Sequence, residues 1–294
     1  MTGKMTIRQK QNVISWLFII PAVALIVTLS FYPMLSAFIL SLMKGKGATL
    51  TWGGAYNYIR IFQDKIFIQS LINCIIYLVI EVPLMLIFAL LLASLLNDRQ
   101  LRFKRIFRTA IFLPCATSLV SYATIFRALF ANDGLINSLL LNLGIIDKSF
   151  EFLANPISAR IVIILALLWR WTGYNMVFYL AGLQNIEYSV YEAAKIDGAS
   201  RWQAFWQITV PLLRPTILLT VIMSINGTLQ MFDESVNLTG GGPANATITM
   251  SHYIYNMSFK FVPNFSYAAA MSYFILFLVV ILTMIQLKVG DKRD

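Results

Sequence analysis

The chain has 294 residues, 59% of them hydrophobic and only 12% charged, with a mean hydropathy of +0.73. A soluble domain is roughly 45–50% apolar and about 25% charged, so this composition excludes an ordinary soluble globule and calls for a bilayer. The formal net charge of +10 does not indicate nucleic acid, because the basic residues gather in loops beside apolar runs, the positive-inside pattern of membrane proteins.

Lys4, Arg8 and Lys10 precede the first apolar run, as in a signal peptide. That run is far longer than a signal core and has no convincing small-residue cleavage site, which predicts a retained first span. Six runs reach the roughly 20 residues a spanning helix needs: 13–42, 69–96, 107–130, 161–183, 216–232 and 267–287. Pro21 and Pro33 are candidate kinks in the first. Arg99, Arg102, Lys104, Arg105 and Arg108 crowd the join between spans two and three against one acid, Asp98, and the tail carries Lys288, Lys292 and Arg293. Segments 131–158 and 235–266 are nearly free of Lys and Arg. The pattern predicts six crossings with both termini cytoplasmic. Lys44, Lys46, Arg60 and Lys65 dissent, since they fall on the predicted outer side.

Cys74 and Cys115 lie inside apolar runs and read as packing residues rather than a disulfide or metal pair. His252 has no second histidine at ligand spacing, so no metal site is expected. A G-x-x-x-x-G-K-[ST] phosphate loop is absent, and Gly45 and Gly47 lack its spacing, so the chain itself is not expected to hydrolyse ATP. No internal repeat stands out. The expectation is one membrane domain over residues 1–294.

Residues 192–215, EAAKIDGASRWQAFWQITVPLLRP, form the longest polar-rich piece. Loop charges put this stretch, within a loop over 186–215, on the cytoplasmic side. Val190, Tyr191 and Ala194, then Trp202, Phe205 and Trp206, fit two short amphipathic helices separated by Gly198. Glu187 and Glu192 are expected early in the first helix, where acids suit the dipole. Gly198 permits a backbone reversal. Ala193, Ala194 and Ala199 leave room for a close partner surface, and Pro211 and Pro215 end the segment before span five. Physics alone leaves two readings, a docking surface for another protein or an interfacial helix resting on lipid headgroups.

Glu192-Ala193-Ala194, Asp197-Gly198-Ala199, Phe205, Pro211 and Pro215 resemble the EAA loop of permease subunits in binding-protein-dependent ABC importers. The resemblance covers most of the chain. Arg108 with Phe112-Leu113-Pro114 looks like the start of that family's third core helix. Asp133-Gly134 to Asn137, with Leu143-Gly144, resembles its next outer segment. Phe232-Asp233, Leu238-Thr239-Gly240-Gly241-Gly242-Pro243 and Thr247 resemble the maltose-permease F or glycerol-phosphate-permease A type. Asp197 before Gly198 is closer to the carbohydrate-importing branch than to the amino-acid, metal or phosphate branches. The maltose protein's two extra N-terminal helices and large outer domain have no counterpart here.

Asn226, Gln230, Asp233, Glu234 and Asn237 make a polar rise late in span five, with spacings that put most of them on one helical side. Such groups are costly in a bilayer unless they face a cavity or partner. Sugar recognition uses this mixture of amides and carboxylates together with aromatic faces, and in span four Trp169, Trp171 and Tyr174 offer such faces beside the amide of Asn175. By resemblance, Tyr174, Ser224 and Thr228 align with sugar-contacting positions of the maltose-type permease, whereas Trp171 and Met231 differ from it. Polar contact between helices is the plainer alternative for each residue. Glu81 and Arg170 are charges at apparent membrane depth, of the kind an ion-coupled carrier uses, and the preferred expectation is that each pairs with a polar group within the bundle.

The expected fold is therefore all-α and polytopic, six transmembrane helices of the importer permease fold with a cytoplasmic coupling helix. The resemblance implies a permease subunit of an ATP-driven carbohydrate importer in a bacterial or archaeal cell (inner) membrane. Implied partners are a second homologous permease, two copies of a cytoplasmic ATPase that uses ATP and Mg, an extracytoplasmic solute-binding protein and the sugar. ATPase coupling would fall to Glu192, Ala193, Ala194, Asp197, Gly198, Ala199, Trp202, Phe205 and Pro211, and the substrate path to Tyr174, Asn175, Ser224, Asn226, Thr228, Gln230 and Asp233. No catalytic residue and no cofactor bound by this chain is expected. The alternatives are a self-contained ion-coupled secondary transporter and a membrane scaffold or receptor subunit that transports nothing.

Overall fold

A computed structural model describes residues 6–47, 49–98 and 100–290. Of the charges used to orient the chain, Lys4, Arg99, Lys292 and Arg293 lie outside the described residues. The chain groups into two compact units, Met1–Ile61 with Met257–Phe274, and Phe62–Asn256 with Ile275–Asp294.

The first unit opens with α1 (Ile7–Ile26), which passes through a π turn at Val27–Phe31 into α2 (Tyr32–Ser41). Pro21 sits inside α1 without breaking it. Pro33 lacks an N–H and its ring crowds the carbonyl four residues back, and the turn before it widens so that the Tyr32 N–H reaches the Val27 carbonyl. A two-stranded antiparallel ribbon follows, β1 (Met43–Lys44) with β2 (Thr51–Trp52), and then α3 (Tyr56–Ile61). Buried Asn57 ties them by donating to the carbonyls of Ser41 (2.9 Å) and Met43 (2.6 Å). The guanidinium of Arg60, one of the dissenting basic residues, lies 4.1 Å from the centre of the Tyr267 ring.

The second unit holds α4 (Lys65–Asn97), α5 (Lys104–Ala116), α6 (Leu119–Leu129), α7 (Leu135–Asn142) and α8 (Pro156–Gln184). Beyond these come α9 (Tyr188–Ile196), α10 (Arg201–Ala204), α11 (Val210–Leu212), α12 (Arg214–Leu229) and α13 (Met250–Tyr255). The last helix, α14 (Phe265–Gly290), begins in the first unit and ends in the second. Side-chain caps explain two starts. Asp64 accepts from the N–H groups of Ile66 and Phe67 at α4, and Asn155 accepts from Ile157 and Ser158 at α8, with Pro156 in the first turn.

By length and apolarity, four helices among the described residues can cross a membrane: Lys10–Ser41, Lys65–Asn97, Pro156–Gln184 and Phe265–Gly290. There are up to six if each of two bent pairs is one span. One bent pair corrects the expectation of a continuous helix over 107–130. Lys104–Ala116 and Leu119–Leu129 meet at 98°, because Thr117 (ψ 151°) and Ser118 (ψ 139°) are extended just after Pro114. The other pair, Arg201–Leu212 with Arg214–Leu229, bends by 70° ahead of the span predicted at 216–232.

Small residues bring the long helices together. Ala89 and Ala93 of α4 are fully buried in one cluster with Met176, Tyr179 and Leu183 of α8. A Cβ at Gly173 of α8 would collide with the Ile111 carbonyl of α5, so those backbones touch. A second cluster joins Tyr77, Tyr122, Phe126, Ile163 and Leu167 to Met231 and Leu238, which follow α12. Cys74 is buried, Cys115 half-buried, and both are free thiols.

Candidate coupling segment and substrate path

Two short helices flank Gly198, at the spacing the sequence predicts. At the end of α9 the Ala199 N–H reaches the Ala194 carbonyl (2.9 Å) and the Gly198 N–H reaches that of Lys195 (3.2 Å). This doubly bonded helix end needs a left-handed residue between them, and Gly198 has φ +79°. Ser200 then starts α10 with a capping box: its Oγ accepts from the Gln203 N–H (3.2 Å) and the Gln203 Oε1 accepts from the Ser200 N–H (2.8 Å). A π turn at Phe205–Thr209 leads into α11, with Pro211 in its first turn, and the Tyr191 hydroxyl bonds Thr209 Oγ1 (3.0 Å) to tie α9 back to that turn. One expectation is corrected. Glu187 stands at the N-cap position of α9 without a side-chain cap bond, and Glu192 lies beyond the first turn, too far along to benefit from the N-terminal dipole.

With these bonds made internally, the side chains turn outward. Glu192, Ala193, Asp197 and Gly198 are exposed, Ala199, Phe205 and Pro211 are half-buried, and Ala194 alone among the named residues is buried. Trp202 and Trp206 are 65% and 52% exposed, and their rings meet edge to face at 5.6 Å with Phe205 against both. Where the segment rejoins the bundle, a groove of about 390 Å³ opens between Gly182, Asn185, Ile186, Glu187 and Val190 on one side and Leu212, Leu213, Pro215 and Thr216 on the other.

The proposed path residues divide into two groups. On α8, half-buried Tyr174 packs edge to face between Trp171 (5.7 Å) and Phe178 (5.1 Å). Beside it, buried Asn175 donates to the Trp171 carbonyl (3.1 Å) and lies 3.5 Å from Met85 Sδ. On α12, Ser224 and Asn226 are half-buried, and Asn226 Oδ1 is buried with no hydrogen-bond partner among the described residues. Thr228 is buried and donates to Glu81 Oε2 (3.3 Å), while the Glu234 carboxyl lies within Coulombic range of Glu81. No hydrogen bond or ring contact joins the Tyr174 group to the Thr228–Glu81 pair among the described residues.

A single polar face through residue 237 does not form. The α12 helix ends at Leu229, Gln230 is exposed at its cap, and half-buried Asp233 begins a fresh turn after the non-helical Met231 and Phe232. The carbonyls this break frees are taken by side chains from further along. Ser251 Oγ donates to Gln230 (3.1 Å) and Thr249 Oγ1 to Met231 (2.7 Å).

The Gly-Gly-Pro stretch is held by residues that sequence reasoning missed. Ser235 Oγ donates to the Thr247 carbonyl (2.8 Å) and bonds His252 Nδ1 (2.8 Å), so His252 is a buried packing histidine. Thr247 Oγ1 donates to the Gly242 carbonyl (2.7 Å). From α4, fully buried Asn73 donates to the carbonyls of Asn245 (3.0 Å) and Ile248 (2.9 Å). Its Oδ1 accepts from Gln69 (3.0 Å) and from Arg160 (3.1 Å), whose Nε holds the Ala246 carbonyl (2.9 Å). Asn73 and Arg160 lie 86 to 175 residues along the chain from the carbonyls they hold, beyond any local pattern. The Ser200-to-Gln203 capping box, by contrast, was there to be read.

Comparison with known proteins agrees with this geometry. Residues 62–293 match the family described as binding-protein-dependent transport system inner membrane component. The chain is 48% identical to the lactose transport system permease protein LacF of Rhizobium radiobacter over 99% of both chains. It is 32% identical to the arabinooligosaccharides transport system permease protein AraP of Halalkalibacterium halodurans, over 98% of this chain and 92% of that one. In fold it is similar to a chain in the crystal structure of a bacterial ABC transporter involved in the import of the acidic polysaccharide alginate, with a TM-score of 0.86, 21% identity and 97% of each chain covered. The resemblance read from the EAA and Gly-Gly-Pro motifs thus holds across nearly the whole length, and the chain belongs to the binding-protein-dependent transport system inner membrane component family.

Proposed function

We propose that this chain is a single transmembrane domain over residues 1–294 that carries a sugar across a bacterial or archaeal cell membrane as one of two homologous permeases. Its termini lie in the cytoplasm, two copies of a cytoplasmic ATPase consume ATP and Mg, and an extracytoplasmic binding protein delivers the substrate. The names of the relatives, lactose and arabinooligosaccharide permeases, support a carbohydrate cargo. The observation that carries the coupling assignment is the segment over 188–213. Its backbone ends are satisfied within the segment while Glu192, Asp197, Trp202 and Trp206 project outward, as a surface that another protein grips would require.

In this reading closure of the ATPase dimer moves the segment and turns the bundle outward to receive the sugar, and hydrolysis resets it. The segment must make different contacts in the two states, or no shift follows. Tyr174, Asn175, Ser224, Asn226, Thr228, Gln230 and Asp233 form the substrate path. Asn226 Oδ1 supports the assignment best, as an unpaired acceptor suited to a sugar hydroxyl. The ion-coupled alternative drew on Glu81 and Arg170. Each has a hydrogen-bonding partner inside the unit, Thr228 for one and Pro114 and Thr117 for the other.

The test is affinity purification from native membranes followed by reconstitution with a panel of neutral sugars. An ATPase and a second permease should copurify, and uptake should need ATP and the binding protein. Recovery of the chain alone, or uptake abolished by collapsing an ion gradient, would sink the proposal.

A further inference from the structure

We infer that Arg170 is a positioning residue: it holds span three in its broken form and makes α6 travel with α8. The break at Thr117 and Ser118 leaves the Thr117 carbonyl with no backbone donor among the described residues, whereas the Pro114 carbonyl already accepts from the Thr117 N–H (3.2 Å) and Thr117 Oγ1 (2.6 Å). Arg170, only 5% exposed, supplies the missing donor from α8. Its Nη1 donates to the Thr117 carbonyl (2.8 Å), Thr117 Oγ1 (3.2 Å) and the Pro114 carbonyl (3.4 Å). A cation at a helix C-terminus also answers the negative end of the dipole.

The same guanidinium reaches the other arm. Its carbon lies 4.8 Å from the centre of the Tyr122 ring on α6 and 5.2 Å from that of Trp171. Among the described residues every hydrogen bond it makes goes to Pro114 or Thr117, so it acts as a pin across the bend and not as half of an ion pair. Three residues on, Gly173 presses α8 against the α5 backbone at Ile111 and Phe112.

What the pin joins gives it a role in transport. Toward its C-terminus α8 ends at Gln184, a few residues before the coupling segment begins at Tyr188. Toward the path, α6 buries Tyr122, Ala123 and Phe126 in one cluster with Met231 and Leu238, on either side of Asp233. A pull on α8 therefore carries α6 with it and moves one wall of the segment after α12. Lysine cannot stand in, because an ammonium lacks the planar face that the guanidinium sets against the Tyr122 and Trp171 rings.

The transport consequence rests on the importer reading, but the pinning does not. In the assembled transporter, with native cysteines removed, spin labels at the exposed Ile106 of α5 and Ile125 of α6 report the angle of the bend. Arg170→Met and Arg170→Lys should both broaden the label-to-label distance distribution. Sugar carried per ATP hydrolysed should fall about tenfold while hydrolysis continues, the size of an ordinary coupling between sites. Should the methionine variant fail to assemble, the lysine variant, which keeps the charge, decides. An unchanged distance distribution, or wild-type sugar per ATP in Arg170→Lys, overturns the inference. A wild-type complex that carries no sugar overturns the importer reading instead and leaves the distance measurement standing.

Discussion

The coupling segment over 188–213 and the Gly-Gly-Pro segment over 230–256 are both polar, both broken by π turns and both rich in positions where helices stop. They satisfy their backbones in opposite ways. In the first, the bonds are local: Gly198 closes α9, Ser200 and Gln203 close α10, and Tyr191 reaches only to Thr209. In the second, Asn73 of α4 and Arg160 of α8 reach in from afar to hold three carbonyls, and its own Ser235, Thr247 and Thr249 are turned inward to hold others. A segment that closes its own ends is free to show its side chains to a partner. One that depends on the bundle for closure has become part of the bundle.

The difference can be broken most severely at Asn73. Asn73→Ala leaves the buried Ile248 carbonyl without its donor, takes one of two donors from the Asn245 carbonyl and leaves Arg160 short of an acceptor, and should lower stability by roughly 1–3 kcal/mol, read as a fall in the thermal midpoint of the purified protein. A change of under about 1 kcal/mol would show that the clasp is not what holds the segment. Gly198→Val forces a β-branched residue into a left-handed conformation, which costs about 1–3 kcal/mol. No atom lies within 4 Å of the added Cβ, so the loss is local: the protein should still reach the membrane with its ATPase uncoupled from uptake. Wild-type uptake by that variant would count heavily against the coupling assignment.

Smaller effects sharpen the contrast. Ser200→Ala removes one exposed cap and should cost about 1 kcal/mol, seen as faster amide exchange confined to 200–204 with the rest of the chain unmoved. Trp202→Ala with Trp206→Ala should leave the thermal midpoint within about 1 °C, since surface changes away from special features stay within ±0.5 kcal/mol. The same pair should weaken copurification of the ATPase by about tenfold or more, because exposed tryptophans are preferred anchors. Loss of stability with unaltered binding would reverse the roles given to the two segments.

The coupling segment was legible in the sequence because everything that shapes it is local. Gly198, Pro211, Pro215 and the aromatic spacing all act within a turn or two. The long apolar runs were equally plain, since length and composition decide them. Span three misled, because apolarity runs unbroken through Thr117 and Ser118 while the backbone turns by 98° there. Arg170, which bonds the turn at Thr117, lies more than fifty residues away, and the sequence predicts only that it pairs with a polar group within the bundle, not which one. The polar face after α12 failed for a similar reason. Helical spacing assumed a helix through residue 237, and nothing local announces that Thr249 and Ser251 will accept the job of ending it at Leu229.

One consequence of the Asn73–Arg160 clasp concerns resistance to digestion. A protease must draw a stretch of chain into an extended form, and it prefers exposed tips whose backbone is unencumbered. Between Gly242 and Ile248 the carbonyls of Gly242, Asn245, Ala246, Thr247 and Ile248 are already held by side chains. A glycine-rich stretch that reads as the softest place in the chain is therefore among the hardest to cleave.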